Sequence, residues 1–391
     1  MHNDAVARGC GAGICRVRRL LGWVGRVVVR GGWSVPVACV VSSALAKLTV
    51  SFWAGGAGLR SEHSLSSLCA AAWRGVDTGL YLSIAGTGYP AMCPPDASAG
   101  IPTEYAFFPG FPMAVRLVWL PGASYGAAII VSVGSVLAAS VLLLRLVALD
   151  YGPKAARWCV VCLFAFPAAF LLLDAMSDGP FLLLTVGCAY QSRRRRWGGA
   201  ACMGGVAALT RPFGVLTAVI IVCERFDAGC RSRGAHAKTA LLAAAPAAGL
   251  ALYGAFNWVR TGDFLAFVRV QAQFQRHLSD PVSPLADAVR GTVHAGVAGS
   301  LTILSLTLLL LAGRRLRRSY WAFALACIAA PLMTGSVLSM SRFLAVVWPV
   351  PLALALETEE QGWGDRALVG FMILVQLALL WMRARGYGPV V

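Results

Sequence analysis

The sequence predicts an all-α fold: a polytopic transmembrane helical bundle of about nine spans plus a re-entrant or broken helical hairpin, with interfacial helices in its first outer loop. Three observations predict the bundle. Apolar residues fill 58% of the 391 positions and charged residues only 13%, well below the charged share of soluble domains. The apolar residues come in runs close to the ~20 positions that a helix needs to cross a bilayer, and a helix satisfies its own backbone groups in lipid. The basic residues lie in short blocks beside those runs, as the positive-inside bias produces. The net charge is +17, from 34 basic and 17 acidic residues, but no basic patch is free of membrane flanks, so nucleic acid is not an expected partner.

Residues 1–32 are Arg-rich with a single Asp and read as a basic cytoplasmic tail, because the basic stretch is too long for a signal-peptide n-region. Residues 33–391 form one integral membrane domain. Its candidate spans are 34–56, 123–149, 158–174, 178–191, 239–258, 294–312, 319–338, 343–357 and 366–383. The basic clusters Arg145 to Arg157, Arg193 to Arg196, Arg225 to Lys238 and Arg314 to Arg318 then face the cytoplasm. That leaves 57–122, a turn at 174–178, 259–293 and a turn at 339–342 outside. Arg196 and Arg225 fall on the same side, yet the segment between them is too short for two full crossings. Two half-helices meeting at Thr210-Arg211-Pro212 restore the parity, since Pro212 breaks a helix and irregular backbone at membrane depth is tolerated only inside protein or along a cavity. Arg211 is expected to face such a cavity.

Most of the twelve cysteines lie inside apolar runs, where Cys behaves as a small hydrophobe. Cys69 and Cys93 flank the polar part of the first outer loop and are expected to stay unbridged. The scattered histidines lack metal-site spacing, and no Walker or Rossmann loop is present, so neither a metal nor a nucleotide cofactor is expected.

The chemistry gathers on the outer loops, which are long, aromatic and carry Asp77, Glu104, Asp263, Arg269 and Arg276. Asp77 opens a short amphipathic stretch with Leu80, Tyr81, Ile84 and Ala85 at helical spacing, read as an interfacial helix. Its carboxylate suits an N-cap or a proton acceptor equally well. Arg342, in a turn between two spans, needs an anion opposite, either a lipid headgroup or a ligand phosphate. Arg211 has a similar choice between an ion pair with Asp178 or Asp174 and an anionic ligand. Asp178 itself reads as base, pairing partner or helix cap. Tyr81, Tyr89, Phe107 and Phe108 form either an interfacial aromatic belt or a stacking wall for a sugar or isoprenoid. Gln271 is a candidate for hydroxyl recognition, and Glu104 is a further substrate-side carboxylate.

The ordered series GVDTGLYLSIAGTGYP at 75–90, AFFPGFP at 106–112, SDGPFLL at 177–183, LTRPFG at 209–214, TGDFLAF at 261–267, QAQF at 271–274 and SMSRFLAVVWP at 339–349 resembles the PIG-V-like membrane glycosyltransferases of the GT-C superfamily. The chain departs from that pattern at Val76, where Trp is usual, and at Asp178, where Glu is common. The resemblance implies an enzyme that takes a sugar, typically mannose, from a polyprenyl- or dolichyl-phosphate donor and transfers it with inversion to a hydroxyl of a glycolipid, glycan or protein. Asp77 would act as general base, with Asp178 as its alternative, and Arg342 and Arg211 would receive the donor phosphate. The donor is a substrate, and no cofactor is implied. The composition suggests a bacterial plasma membrane, or the endoplasmic reticulum in a eukaryote, with an extracytoplasmic site. Two other readings stay open: a multi-span transporter or lipid-linked-sugar flippase, and an inactive GT-C-like scaffold. A transporter predicts repeat symmetry and mid-membrane ionisable groups. This chain shows no evident repeat and gathers its polar residues on one face.

Overall fold

The computed structural model describes residues 33–56, 72–91, 100–118, 124–274, 276, 278–291, 293–337 and 339–387. The basic tail and the Cys69 and Cys93 pair lie outside these residues. Every regular element among the described residues is a helix, with no strand among them. The chain runs through α1 (Ser34–Gly56), α2 (Thr78–Thr87), α3 (Gly110–Val118), α4 (Ser124–Ala165), α5 (Asp178–Arg193), α6 (Trp197–Thr210), α7 (Thr217–Asp227) and α8 (Arg233–Thr261). It continues through α9 (Ala266–Arg269), α10 (Ser283–Arg290), α11 (Val293–Leu311), α12 (Arg318–Leu332), α13 (Met340–Ala345), α14 (Pro349–Glu357) and α15 (Trp363–Ala384).

Five helices, α1, α4, α8, α11 and α15, are long and apolar enough to cross a membrane. The shorter helices pack among them: α5 lies along α4 and α6, and α6 along α8. Every residue from 162 to 182 is buried. This stretch is the centre of the bundle, and much of it is not α-helix.

Two expected spans are broken. The spans 123–149 and 158–174 are joined in α4, which is interrupted at Gly152, where φ is 84° and ψ is 169°. Only glycine holds such a conformation cheaply, and Pro153 restarts the helix with its φ already set. The second span then stops at Ala165 rather than 174, because Pro167 cannot continue an α-helix, and a 3-10 turn follows over Ala169–Leu173. Broken backbone inside a bundle leaves carbonyls that need donors. Gln376 of α15 donates to Phe164 O at 3.1 Å and to Phe166 O at 3.0 Å, and Lys47 of α1 donates to Phe170 O at 3.0 Å. The expected span 343–357 is also split, into α13 and α14, with Pro349 opening the second piece.

The hairpin inferred from parity is present as a break in the chain. α6 ends at Thr210, Arg211 is extended at φ −152° and ψ 145°, and a 3-10 turn over Pro212–Leu216 leads into α7.

Ionic groups sit in clusters at the two ends of α5. Asp178 and Arg193, its first and last residues, are about 22 Å apart along the helix axis at 1.5 Å per residue. At the Arg193 end, Asp150 accepts from Arg193 Nε at 2.9 Å and from Tyr320 Oη at 2.6 Å, and Glu224 accepts from Arg317 Nε at 3.1 Å and from Ser319. All of these residues lie in or next to the segments expected at the cytoplasm. Near the other end, Asp174 is buried and pairs with Lys47 of α1 and Arg383 of α15. The first and last described helices are thus tied to the central irregular turn. Replacing Gln376 by Leu orphans two buried carbonyls, so Gln376→Leu is expected to destabilise the bundle by about 1–3 kcal/mol per carbonyl. Thermal unfolding of the purified protein in detergent checks it, and an unchanged midpoint would show that these carbonyls have other donors.

Candidate active site

The segment before α2 is pinned to the central turn by backbone and hydroxyl bonds. Ala175 N donates to Trp73 O at 2.9 Å, Gly75 N donates to Thr78 Oγ1 at 2.9 Å, and that hydroxyl donates to Ala175 O at 3.1 Å. Ser132 of α4 bonds Met176 O at 3.0 Å from the other side. These contacts set Asp77, at the start of α2, beside Asp178, at the start of α5. Asp77 holds the N-cap position of α2, but its side chain makes no capping bond. Its carboxylate turns to Arg342 instead, with Nη1 to Oδ2 at 2.5 Å.

Asp178 is the shared anion. Its Oδ1 accepts from Arg211 Nη1 at 2.8 Å and its Oδ2 from Arg342 Nε at 2.8 Å. The result is a chain of alternating charge: Asp77, Arg342, Asp178, Arg211. Its two carboxylates differ in access, the Asp77 side chain being 20% exposed and that of Asp178 1%. The Arg211 guanidinium lies 5.6 Å from the Phe181 ring centroid and 5.4 Å from that of Phe343, contacts that suit a weakly hydrated planar cation.

A cavity of about 270 Å³ opens onto this chain, lined by Asp77, Arg342, Arg211, Arg276 and a wall of aromatics. The AFFPGFP segment builds much of that wall. Phe107 and Phe111 meet Tyr81 edge-on at 5.1 and 5.0 Å, and Phe108 packs on Tyr253 at 4.4 Å. The segment is held rigid by tyrosine hydroxyls behind it: Tyr89 donates to Phe107 O at 2.6 Å and Tyr253 to Tyr105 O at 2.9 Å. Gly110 is required where this loop meets the hairpin break, since a Cβ there would lie 2.5 Å from Thr210 Oγ1. Tyr81 shares a hydrogen bond of 2.8 Å with Ser177, which links the aromatic wall to the turn that presents Asp178.

Of the residues singled out in the sequence, Asp77, Tyr81, Phe107, Phe108, Arg211, Gln271 and Arg342 line the one cavity. Asp178 lies behind it, within the ion chain. Two are elsewhere. Tyr89 packs against Tyr105, Tyr253 and Phe256 behind the wall, and Glu104 sits in a 3-10 turn, Thr103–Ala106, outside the lining. The offset of Tyr89 has a simple cause: Gly88, at φ 83°, ends α2 and turns the chain away from the face that carries Tyr81.

Sequence reasoning gave no role to Arg276, Thr334, Ser339 or Phe343, which also line the cavity. Arg276 bonds Gln271 Oε1 at 2.8 Å and stands 5.7 Å from the Phe343 ring centroid. Among the described residues it has no carboxylate in ion-pair contact. Burial outweighs the pull of the more distant Asp77 and holds its guanidinium below the usual arginine value. Ser339, at φ 61°, is in the left-handed region and begins the turn into α13 that carries Arg342. Among the described residues, the lining and the Asp178 behind it carry three guanidinium groups against two carboxylates, one cation in excess.

No protein-family model matches the sequence, and no curated protein matches it. Solved structures match the fold. ArnT from Cupriavidus metallidurans, bound to undecaprenyl phosphate, superposes with a TM-score of 0.53 at 16% identity over 88% of this chain and 64% of that one. The oligosaccharyltransferase AglB from Archaeoglobus fulgidus, in complex with an inhibitory peptide and a dolichol-phosphate, gives 0.51 at 13% identity over 91% and 56%. The chain thus spans under two thirds of the length of either protein. The chain shares the GT-C fold of these two proteins.

The burial difference between the two carboxylates gives a stability prediction. Asp178→Asn leaves two buried guanidinium groups short of an anion and is expected to destabilise by about 3–5 kcal/mol, whereas Asp77→Asn, at the cavity edge, leaves Arg342 its bond to Asp178 and should cost clearly less. Thermal midpoints of the two variants, compared in one detergent, check the difference.

Proposed function

We propose that the chain is a membrane glycosyltransferase of the polyprenyl-phosphate-sugar type, with Asp77 as general base. The observation that carries this reading is the cavity: one accessible carboxylate, an aromatic wall, and three guanidinium groups with one positive charge in excess, in a fold whose matched structures hold polyprenyl phosphates. A donor with a long isoprenoid tail has to be met at the membrane. Once the leaving group is already a phosphate, a single base suffices and no leaving-group acid is needed.

In the reaction we infer, Asp77 takes the proton of the acceptor hydroxyl and the oxygen bonds the anomeric carbon from the face opposite the phosphate. The bond from that carbon to the phosphate oxygen breaks, the electron pair leaves with the polyprenyl phosphate, and the configuration inverts. Guanidinium groups in a low-dielectric site neutralise the charge that develops on the departing phosphate. Tyr81, Phe107 and Phe108 suit the apolar faces of a sugar ring or the first isoprene units, and Gln271 and Ser339 suit hydroxyls. Mannose, the PIG-V-like assignment and a glycolipid, glycan or protein acceptor follow from the motif series, while composition and the basic clusters suggest the extracytoplasmic side of a bacterial plasma membrane; together they complete the reading.

In membranes given radiolabelled decaprenyl-phosphate mannose, Asp77→Asn is expected to lower transfer by a factor on the order of 10²–10⁴, the contribution of a general base, while the protein accumulates normally. Near-normal transfer by that variant would refute the assignment of the base. Arg342→Ala is expected to raise the donor concentration needed for half-maximal rate more than that of the acceptor, as kinetics with each substrate varied in turn would show.

A further inference from the structure

Asp77 is placed awkwardly for a base at rest, because its carboxylate is bound to the cation that should receive the donor. Arg342 is held on two sides that differ in kind. Its Nε is bonded to Asp178, sealed in the bundle, and its Nη1 to Asp77, which lines the cavity and is the exposed partner. Only the second arm can change partners. Asp77 is also free to leave it, since its side chain makes no bond to the amino terminus of α2 although it stands at the capping position. Across the same cavity, Arg276 is anchored by Gln271 Oε1 at 2.8 Å and by Ser339 Oγ at 3.5 Å, both neutral groups. The site therefore holds two guanidinium groups that can face a ligand and one carboxylate that can move.

We propose that Asp77 occupies the place of the donor phosphate on Arg342 and is exchanged for that phosphate when the donor binds, Arg276 supplying the second cation. This rests on the glycosyltransferase reading and deepens it. A phosphate bridging Arg342 and Arg276 replaces one carboxylate contact with charge-assisted bonds to two cations. Asp77 is repelled by the arriving phosphate and released from Arg342 in the same step, so its carboxylate becomes available to an acceptor hydroxyl only with a donor in place. The exchange makes the donor the first substrate to bind, and it makes Asp77 a competitor of the phosphate.

The test is direct binding of decaprenyl phosphate to the full-length protein in nanodiscs, with decaprenol as the uncharged control. Asp77→Asn and Asp77→Ser are each expected to bind decaprenyl phosphate more tightly than the wild type, on the order of tenfold, because the competing anion is gone. Decaprenol affinity should not change. Arg276→Gln is expected to weaken decaprenyl phosphate binding on the order of tenfold, with Arg276→Lys restoring most of it. Equal or weaker phosphate binding by both Asp77 variants overturns the exchange while leaving the donor reading in place, provided the wild type prefers decaprenyl phosphate to decaprenol. A wild type without that preference overturns the donor reading itself.

Discussion

The arrangement depends on one carboxylate. Asp178 is sealed in the bundle and bonded by a guanidinium on each oxygen, and an unpaired charge there would not be tolerated. Each of its partners requires a break in regular structure. Arg211 reaches it because Pro212 interrupts the hairpin and leaves residue 211 extended. Arg342 reaches it from a six-residue helix entered through a left-handed serine. The central stretch that carries Asp178 is itself irregular, broken after Ala165 by Pro167 and held by side chains from α1 and α15. Three disruptions of helix thus converge on one anion, and the long helices around them hold the disruptions in place.

That convergence explains why the cavity is both charged and apolar. Its floor is an ion chain whose members neutralise one another, while its walls are aromatic rings packed edge-on around Tyr81 and against Phe108, with Tyr253 tilted onto Phe108. In so dry a setting, fixed guanidinium groups act strongly on any charge that develops nearby. The wall is stiff because its backbone carbonyls are bonded from behind by Tyr89 and Tyr253. Tyr89 thus supports a surface it does not reach.

The features legible in the sequence were those with local chemical causes. The hairpin break followed from Pro212 and from the basic residues on both sides, and the segments at Asp77, AFFPGFP, Arg211 and Arg342 could each be named before their meeting was seen. Their juxtaposition is long-range, Arg342 and Asp77 being 265 positions apart, and rested on resemblance to a known series of segments rather than on any residue spacing. The end of the second expected span was missed because the apolar run continues past Pro167 without a change in composition. Arg276 was counted among the outer-loop charges but carried no motif. What distinguishes it, a half-buried place with only neutral hydrogen-bond partners among the described residues, exists only after folding. Tyr89 was grouped with Tyr81 by proximity, and the turn at Gly88 separates them.

The tie through Asp174 bears on how the chain is assembled. Its two cationic partners lie on either side of it in the sequence, Lys47 before it and Arg383 long after it. During synthesis from the amino terminus, the acid emerges when its lysine partner has already been made, so it need not wait as a bare charge among lipid tails. The arginine arrives later, with α15, and its docking latches a bundle whose middle was already neutralised.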